Sequence, residues 1–185
     1  MIRRSMWGLS GIALASLAAP TAASALPNCA DLAAAAAMSP GVISVTSVVT
    51  PAAGSNAAYC QVNLKQFHEI NIRVGLPLNS ADGGAGGSSQ GAWNGRIQNL
   101  GGGGFAGSVG AVTGATNARY VGSSTDTGHN NTVCAAQGHA GCAPGGAGFV
   151  LDASNNLIPW QITDFMKDSL IEQVRWAKRL SLIHI

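Results

Sequence analysis

Charged side chains are scarce in this chain of 185 residues. Lysine and arginine number 10 and aspartate and glutamate 8, so charged residues make up 10% and the formal charge is +2. This near balance provides no basic surface for nucleic acid, and we predict no nucleic-acid partner. With 46% hydrophobic residues, the chain is also too apolar for intrinsic disorder. Internal repeats are absent, and we predict one modest domain.

The apolar run near the N-terminus, residues 7–19, is too short for a membrane-spanning helix, which needs about 20 residues. It follows Arg3 and Arg4 and precedes the Ala-x-Ala signal at 23–25. This order is typical of a secretory signal peptide. We predict a signal peptide over 1–25, a mature chain from Leu26 that is secreted or periplasmic, and no membrane span after cleavage. The alternative is a buried or interfacial N-terminal helix.

Cysteine is also rare, but its even number in an exported chain favours disulfides. Three pairings of the four cysteines are possible. We predict Cys134–Cys142, which would close a short loop, and Cys29–Cys60, which would hold the mature N-terminus to a strand. The alternative is a zinc site of His129, Cys134, His139 and Cys142. Their spacing matches no standard zinc finger, and we predict no metal site.

Hydrophobic periodicity predicts a mixed order of elements. Strands are predicted over 42–50, 58–66, 69–78, 93–100 and 119–124, and helices over 31–38 and 163–180. The strand 69–78 alternates cleanly between apolar and polar residues. Residues 79–92 and most of 130–159 are predicted as loop, and 108–118 as a weak helix. An α/β fold follows, with a mixed sheet whose early strands are antiparallel.

The segment 163–180 carries the strongest helical pattern, with Thr163 or Asp164 as the N-cap. Apolar and small residues recur at helical spacing along one side of it. We predict that this side packs in the core. Its members are Phe165, Met166, Ser169, Leu170, Val174, Ala177 and Leu180.

A glycine-rich stretch, Asn99–Gly107, follows the fourth predicted strand. Gly102, Gly104 and Gly107 satisfy the G-x-G-x-x-G dinucleotide pattern, and Asp126 stands where a ribose-binding acid is expected. Two observations oppose a dinucleotide. The segment after Gly107 is a poor helix, and an exported protein meets little nicotinamide cofactor.

Other candidate residues have weaker context. Ser89 satisfies G-x-S-x-G but lies in a Gly/Ser loop rather than a strand-to-helix turn. Asp126 and His129 form D-x-x-H after a predicted buried strand, where they either orient a substrate or satisfy the backbone of their own turn. The remaining histidines, His68 beside Glu69, His139 and His184, have no evident partner, and we predict that His68 and Glu69 are solvated.

Several short motifs in order resemble the tannase/feruloyl esterase family. The resemblance rests on these stretches: Cys60-Gln61-Val62, Pro77, the WNGR at 93–96, the GGGGFAG at 101–107, the STDTGH at 124–129, Asp164-Phe165 and Ala177-Lys178. Together they extend from about residue 29 to residue 178.

The resemblance implies an exported α/β-hydrolase that cleaves esters of aromatic acids by serine acyl transfer. It implies that residues 26–180 are the N-terminal part of that domain, with Gly102, Gly103 and Gly104 as oxyanion-hole candidates. It further suggests Phe105, Asp126 and His129 as substrate-cleft residues and a small aromatic ester as the partner. The family's calcium belongs to its lid, outside this chain, so no cofactor is expected here.

The family's nucleophile lies in a Cys-Ser-x-Gly-Gly elbow after the helix at 163–180, and no serine here matches that motif. No catalytic residue is therefore carried over. Residues 181–185 do not resemble the family, and a frameshift or assembly boundary is the hypothesis for them. We expect the chain alone to lack esterase activity. The alternative function is an exported binding or structural glycine-rich module without catalysis.

Overall fold

A computed structural model describes residues 26–84, 92–105, 107–130 and 146–185 of the chain. The predicted signal peptide, Ser89 and the segment containing Cys134, His139 and Cys142 lie outside the described residues. The predictions made for them therefore stay predictions.

The described elements alternate between strands and short helices, with one long helix last. The strands are β1 Val42–Thr50, β2 Tyr59–Gln66, β3 Asn71–Pro77, β4 Ile97–Leu100 and β5 Val121–Thr125. The helices are α1 Asp31–Ala37, α2 Thr113–Asn117, α3 Pro159–Thr163 and α4 Ser169–His184. A π-helical turn, Asp164–Asp168, joins α3 to α4. Short 3-10 turns lie at Ser80–Asp82 and Ala147–Val150.

The strands of the described residues form one five-stranded mixed sheet in the order β1-β2-β3-β5-β4. The pairs β1–β2, β2–β3 and β3–β5 are antiparallel, and β4–β5 is parallel. The predicted mixed α/β sheet with antiparallel early strands is confirmed. Because β4 and β5 are parallel neighbours, the loops after them, starting at Gly101 and Asp126, leave the same edge of the sheet.

Alternation along the strands separates two packing faces. Ile72, Val74 and Leu76 of β3 join the main core with α1 and α4. On the other face, glycines let α2 approach closely: a Cβ at Gly122 would lie 2.8 Å from the Cβ of Ala115. The helix predicted weakly over 108–118 is thus real but only five residues long.

The buried face of α4 differs from the predicted one. Ser169, Ala177 and Leu180 are buried as predicted, whereas Met166 is 70% exposed and Leu170 45%; Val174 is also exposed, at 39%. The other buried residues of α4 are Gln173, Trp176, Ser181 and His184. Periodicity selects the most apolar side of a helix, but here the buried side combines the apolar Trp176 and Leu180 with small and hydrogen-bonding residues.

The helical segment also extends beyond its predicted ends. Helical structure begins at Pro159, and α4 continues to His184, so residues 181–184 are helical. Ile183 and Ile185 pack against the main core. The neighbouring strand β4 is shorter than predicted and occupies only Ile97–Leu100. No helix among the described residues has the length and apolarity to cross a membrane.

Candidate functional site

The glycine loop, residues 101–105, leaves the carboxyl end of β4 and is exposed throughout. Within the described residues, the amides of Gly102, Gly103 and Gly104 donate to no protein acceptor. A Cβ at Gly101, Gly103 or Gly104 would meet nothing within 4 Å. Among the described loop glycines, only Gly104 has a left-handed φ, of 55°. Packing within the described chain therefore does not require these glycines, and their amides remain open to a ligand.

A buried side chain of α4 holds the start of the glycine loop. The Nε2 of Gln173 donates to the carbonyl oxygen of Leu100 and to the Oγ of Ser123, both at 3.1 Å. The Oγ of Ser123 in turn donates to the Oδ1 of Asn99 at 2.6 Å. Gln173 is buried, and leaving such groups unpaired would cost about 1–3 kcal/mol each. This network fixes the carboxyl ends of β4 and β5 against α4.

The loop after β5 is a tight turn, residues 126–129. The carboxylate of Asp126 accepts hydrogen bonds from the amides of Asn71 and Gly128, at 3.0 and 3.1 Å, and from the Nδ2 of Asn71 at 2.6 Å. Burial raises the pKa of Asp126 to about 6, and the hydrogen bonds from Asn71 and Gly128 oppose that rise. Asp126 therefore braces the turn against β3, and within the described residues it makes no hydrogen bond to the glycine loop.

Backbone conformation and close packing also hold this turn. Thr127 and Gly128 are left-handed, with φ of 62° and 79°. A Cβ at Gly128 would lie 2.6 Å from the Cβ of Asp164. Glycine at 128 therefore allows both the turn and its contact with the π-helical turn.

His129 connects this turn to the glycine loop. Its Nε2 lies 3.5 Å from the carbonyl oxygen of Phe105, and its Nδ1 lies 3.3 Å from the Oγ1 of Thr127. The residue is fully buried. Burial lowers the pKa of His129, and its hydrogen bonds with Phe105 and Thr127 oppose that shift. A neutral imidazole with its proton on Nε2 would donate to the Phe105 carbonyl.

Three phenylalanines surround His129 and form the aromatic cluster, defined as Phe105, His129, Phe149 and Phe165. The imidazole stacks on Phe149, with ring centroids 3.8 Å apart and planes 9° apart. Phe105 lies 5.9 Å from Phe149 and 5.5 Å from Phe165. Phe149 is 2% exposed whereas Phe105 is 36% exposed. Phe105 thus presents part of its ring to solvent beside the open amides.

A second histidine pairs with a buried carboxylate beside the turn. The Nδ1 of His68 lies 2.9 Å from the Oδ2 of Asp164, and their side chains are 47% and 2% exposed. Burial raises the pKa of Asp164, and the hydrogen bond from His68 opposes that rise. His68 is thus only partly solvated, and Glu69 pairs with Lys65 at 2.7 Å. The prediction that His68 has no partner is wrong, because its partner is 96 residues away.

The disulfide corner, at the opposite end of the sheet, consists of Cys29, Cys60, Asn79, Asp82 and His184. The predicted Cys29–Cys60 disulfide is present, and it is compatible with an exported protein. The amide of Cys29 donates to both carboxylate oxygens of Asp82 at 2.9 Å. The Nδ2 of Asn79 donates to the carbonyl oxygen of His184 at 2.8 Å.

His184 itself is fully buried in this corner, which corrects the expectation that it lacks a partner. Its Nε2 lies 3.6 Å from the Oδ2 of Asp82. Burial lowers the pKa of His184, and the charge of Asp82 opposes that shift.

The structure therefore brings Gly102–Gly104, Phe105 and His129 together at one edge, with Asp126 next to them but bonded to β3. A dinucleotide site is not supported, because α2 begins only at Thr113 and no helix begins at the described glycines of the stretch. Among the described side chains, no histidine hydrogen-bonds a serine hydroxyl. No group of three or more His, Cys, Asp or Glu residues in the described part could hold a metal ion.

Comparison of the chain with protein-family models, curated proteins and solved structures found no match.

Proposed function

We propose that this chain is part of an exported carboxylic ester hydrolase acting on esters of aromatic acids. The observation that carries this proposal is the exposed glycine loop at the carboxyl end of β4, where the amides of Gly102, Gly103 and Gly104 have no acceptor among the described residues. In α/β-hydrolases one oxyanion-hole donor is a backbone N–H from the loop after the third strand. Gly102, Gly103 and Gly104 are the candidates for that donor.

In this mechanism a serine attacks the ester carbonyl, with a histidine as base and an aspartate that orients it. The resemblance to tannases and feruloyl esterases puts that serine in a Cys-Ser-x-Gly-Gly elbow beyond the helix. The amide from the glycine loop would meet the developing oxyanion at about 2.7–3.1 Å. One such donor stabilises the transition state by roughly 2.7–4 kcal/mol.

Phe105 suits the aromatic part of such a substrate. Its ring rests on Phe149 and Phe165 and is partly exposed, so a planar acyl group could stack on it in an offset or edge-to-face arrangement. His129 would act as a positioning residue, since its Nε2 lies 3.5 Å from the Phe105 carbonyl oxygen. These contacts would hold the loop in one shape before the reaction.

Two surfaces that no described residue covers are consistent with further strands and helices of an α/β-hydrolase. The sheet order ends at β4, which pairs only with β5 among the described strands. Exposed apolar residues, Leu170, Ile171 and Val174, form a strip on α4. Apolar patches of this kind are typical of interaction surfaces.

The direct test is the gene sequence beyond codon 180. A Cys-Ser-x-Gly-Gly elbow in any reading frame would support the proposal. A continuous frame that lacks such an elbow would contradict it.

A second test uses the chain itself, titrated with methyl ferulate and methyl gallate by calorimetry. Gly104→Ala should weaken binding roughly fivefold, as expected for about 1 kcal/mol lost from one displaced donor. Gly54→Ala is the matched control, because Gly54 has φ 58° and nothing within 4 Å of its Cβ position. Equal losses in both variants, or no binding at all, would argue against a site at the glycine loop. Binding without an elbow in the gene would favour a binding module.

A further inference from the structure

We propose that His68 and Asp164 form a second, serine-independent reactive centre, in which the imidazole takes acyl groups from aryl esters bound in the adjoining cavity. This proposal does not rest on the ester hydrolase function proposed above. It departs from the expectation that the chain alone lacks esterase activity, because that expectation concerned a serine nucleophile. It starts from a histidine whose two nitrogens have different surroundings. Nδ1 is 2.9 Å from the buried carboxylate of Asp164, and Nε2 has no hydrogen-bond partner among the described residues.

The backbone and a neighbouring ring hold His68 in place. His68 occupies the turn between β2 and β3 with a left-handed φ of 57°, a conformation uncommon for residues other than glycine. Such strained positions cluster at functional sites. The imidazole also packs against Trp160, with ring centroids 4.5 Å apart. A carboxylate bound to one nitrogen is the arrangement that orients catalytic imidazoles, and contact with Trp160 further restrains this ring.

His68 lines a cavity of about 460 Å³ whose apolar wall includes Phe67, Ile70 and Ile171. The four other charged residues that line it with Asp164 pair with one another. Arg175 lies 2.6 Å from Glu172, and Lys167 lies 3.8 Å from Asp168. Because these charges are offset in pairs, the cavity suits an uncharged, partly apolar ligand. An aryl ester has both properties, and its ring could contact Phe67.

The chemistry is an acyl transfer in two steps. The lone pair of Nε2 attacks the ester carbonyl carbon, a new C–N bond forms, and the C–O bond to the aryloxide breaks. The resulting acylimidazolium keeps its Nδ1 proton, and the negative charge of Asp164 stabilises it. Water then attacks the acyl carbon, one of its protons passes through solvent to the aryloxide released in the first step, and the C–N bond breaks, so the neutral imidazole returns. The net reaction converts ester and water into a carboxylic acid and a phenol.

This chemistry favours aryl over alkyl esters, because an imidazole expels a phenolate far more readily than an alkoxide. The centre would therefore cleave p-nitrophenyl acetate but not methyl ferulate. A serine-directed reagent would have no effect on it. These two properties distinguish it from the serine mechanism proposed above.

The experiment measures p-nitrophenyl acetate hydrolysis by the purified chain, with and without phenylmethylsulfonyl fluoride. The rate per molecule should exceed that of free imidazole by on the order of tenfold, and the reagent should leave it unchanged. His68→Asn should remove that excess, and asparagine tolerates the left-handed backbone. His139→Asn, the same substitution at another histidine, should retain the full rate.

Asp164→Asn tests whether Asp164 positions His68 for the reaction or only supports the fold. It keeps a hydrogen-bond acceptor but removes the charge, so kcat should fall on the order of tenfold while KM is unchanged. If circular dichroism shows that this variant is unfolded, the His68→Asn result alone decides whether the proposal holds. A rate no greater than that of free imidazole, or a His68→Asn variant that retains half the rate, would overturn the proposal.

Discussion

Each end of the sheet buries a histidine, but the groups that surround the two imidazoles differ. In the disulfide corner His184 is near the Asp82 carboxylate, and the Cys29–Cys60 bond and Asn79 join the surrounding segments. At the glycine end His129 lies among phenylalanine rings, and the polar atoms of described residues near its nitrogens are the Thr127 hydroxyl and the Phe105 carbonyl oxygen. Burial lowers the pKa of both imidazoles.

We infer from this difference that the disulfide corner stabilises the fold, whereas the glycine end leaves backbone amides accessible to a ligand. In the corner the disulfide joins the N-terminal segment to β2, and hydrogen bonds link that segment, the turn after β3 and the end of α4. The glycine end instead exposes backbone amides on a loop supported by a packed aromatic cluster. Binding residues commonly lie on loops that a rigid scaffold positions. The following predictions test whether the two ends differ in this way.

The largest effect is expected at the glycine end, from Phe149→Ala. Phe149 is buried and stacks on His129, so its truncation should lower the free energy of unfolding by about 3–5 kcal/mol. Urea denaturation would measure this change. Phe67→Ala is the matched control, because Phe67 is 66% exposed and should lose well under half as much. A loss below about 1 kcal/mol at Phe149 would show that the cluster is not a packed support.

The disulfide corner should follow closely. Replacing both Cys29 and Cys60 by serine removes a cross-link between residues 31 apart. The free energy of unfolding should fall by about 3–4 kcal/mol, because the unfolded chain regains loop entropy. The same double substitution at Cys134 and Cys142, predicted to close a shorter loop, should cost less. If urea denaturation shows that the Cys134 and Cys142 substitutions cost as much stability as those at Cys29 and Cys60, or more, the proposed stabilising role of the corner is contradicted.

The third prediction concerns Asp126, at the glycine end. Its pKa of about 6 in the folded protein lies above the ordinary aspartate pKa of 3.8, so the folded state binds the proton more tightly than the unfolded state. Its contribution to stability is therefore present below about pH 4 and is lost as pH rises to about 6. The stability difference between wild type and Asp126→Asn should fall by on the order of 2–3 kcal/mol over that range.

The free energy of unfolding of the variant must be subtracted from that of the wild type, because other buried groups change stability with pH in the opposite direction. Since burial lowers the pKa of His129 and His184, their contributions are lost as pH falls. The same substitution at the exposed Asp31 is the control. A pH-independent difference for Asp126→Asn in thermal or urea denaturation would contradict the pKa shift.

Much of the fold was predictable because it depends on local patterns. The alternation at 69–78 identified β3, and the glycine-rich stretch from Asn99 marked the end of β4. The helix at 163–180 was located correctly, yet its buried face was not, because Gln173 is buried to reach Leu100 and Ser123. A polar residue predicts exposure unless its partners are known.

The candidate site was predictable only in part. The glycine loop and the turn with Asp126 and His129 were found as motifs, and the sheet places them at one edge. The pairing of Asp126 with Asn71 and of His68 with Asp164 spans 55 and 96 residues. No local signal marks such pairs, because either member alone reads as an exposed polar residue.

By itself, the sequence determined the class of structure and one of its cross-links. The order of β-branched strands and the helical repeat near the end predicted a mixed sheet, and the number and spacing of the cysteines predicted Cys29–Cys60. The tertiary structure decided which face of α4 is buried and which partners His68, His129 and His184 receive. The reason is physical. Apolar burial follows local periodicity, whereas a buried polar group requires a specific partner, and that partner lies far along the chain.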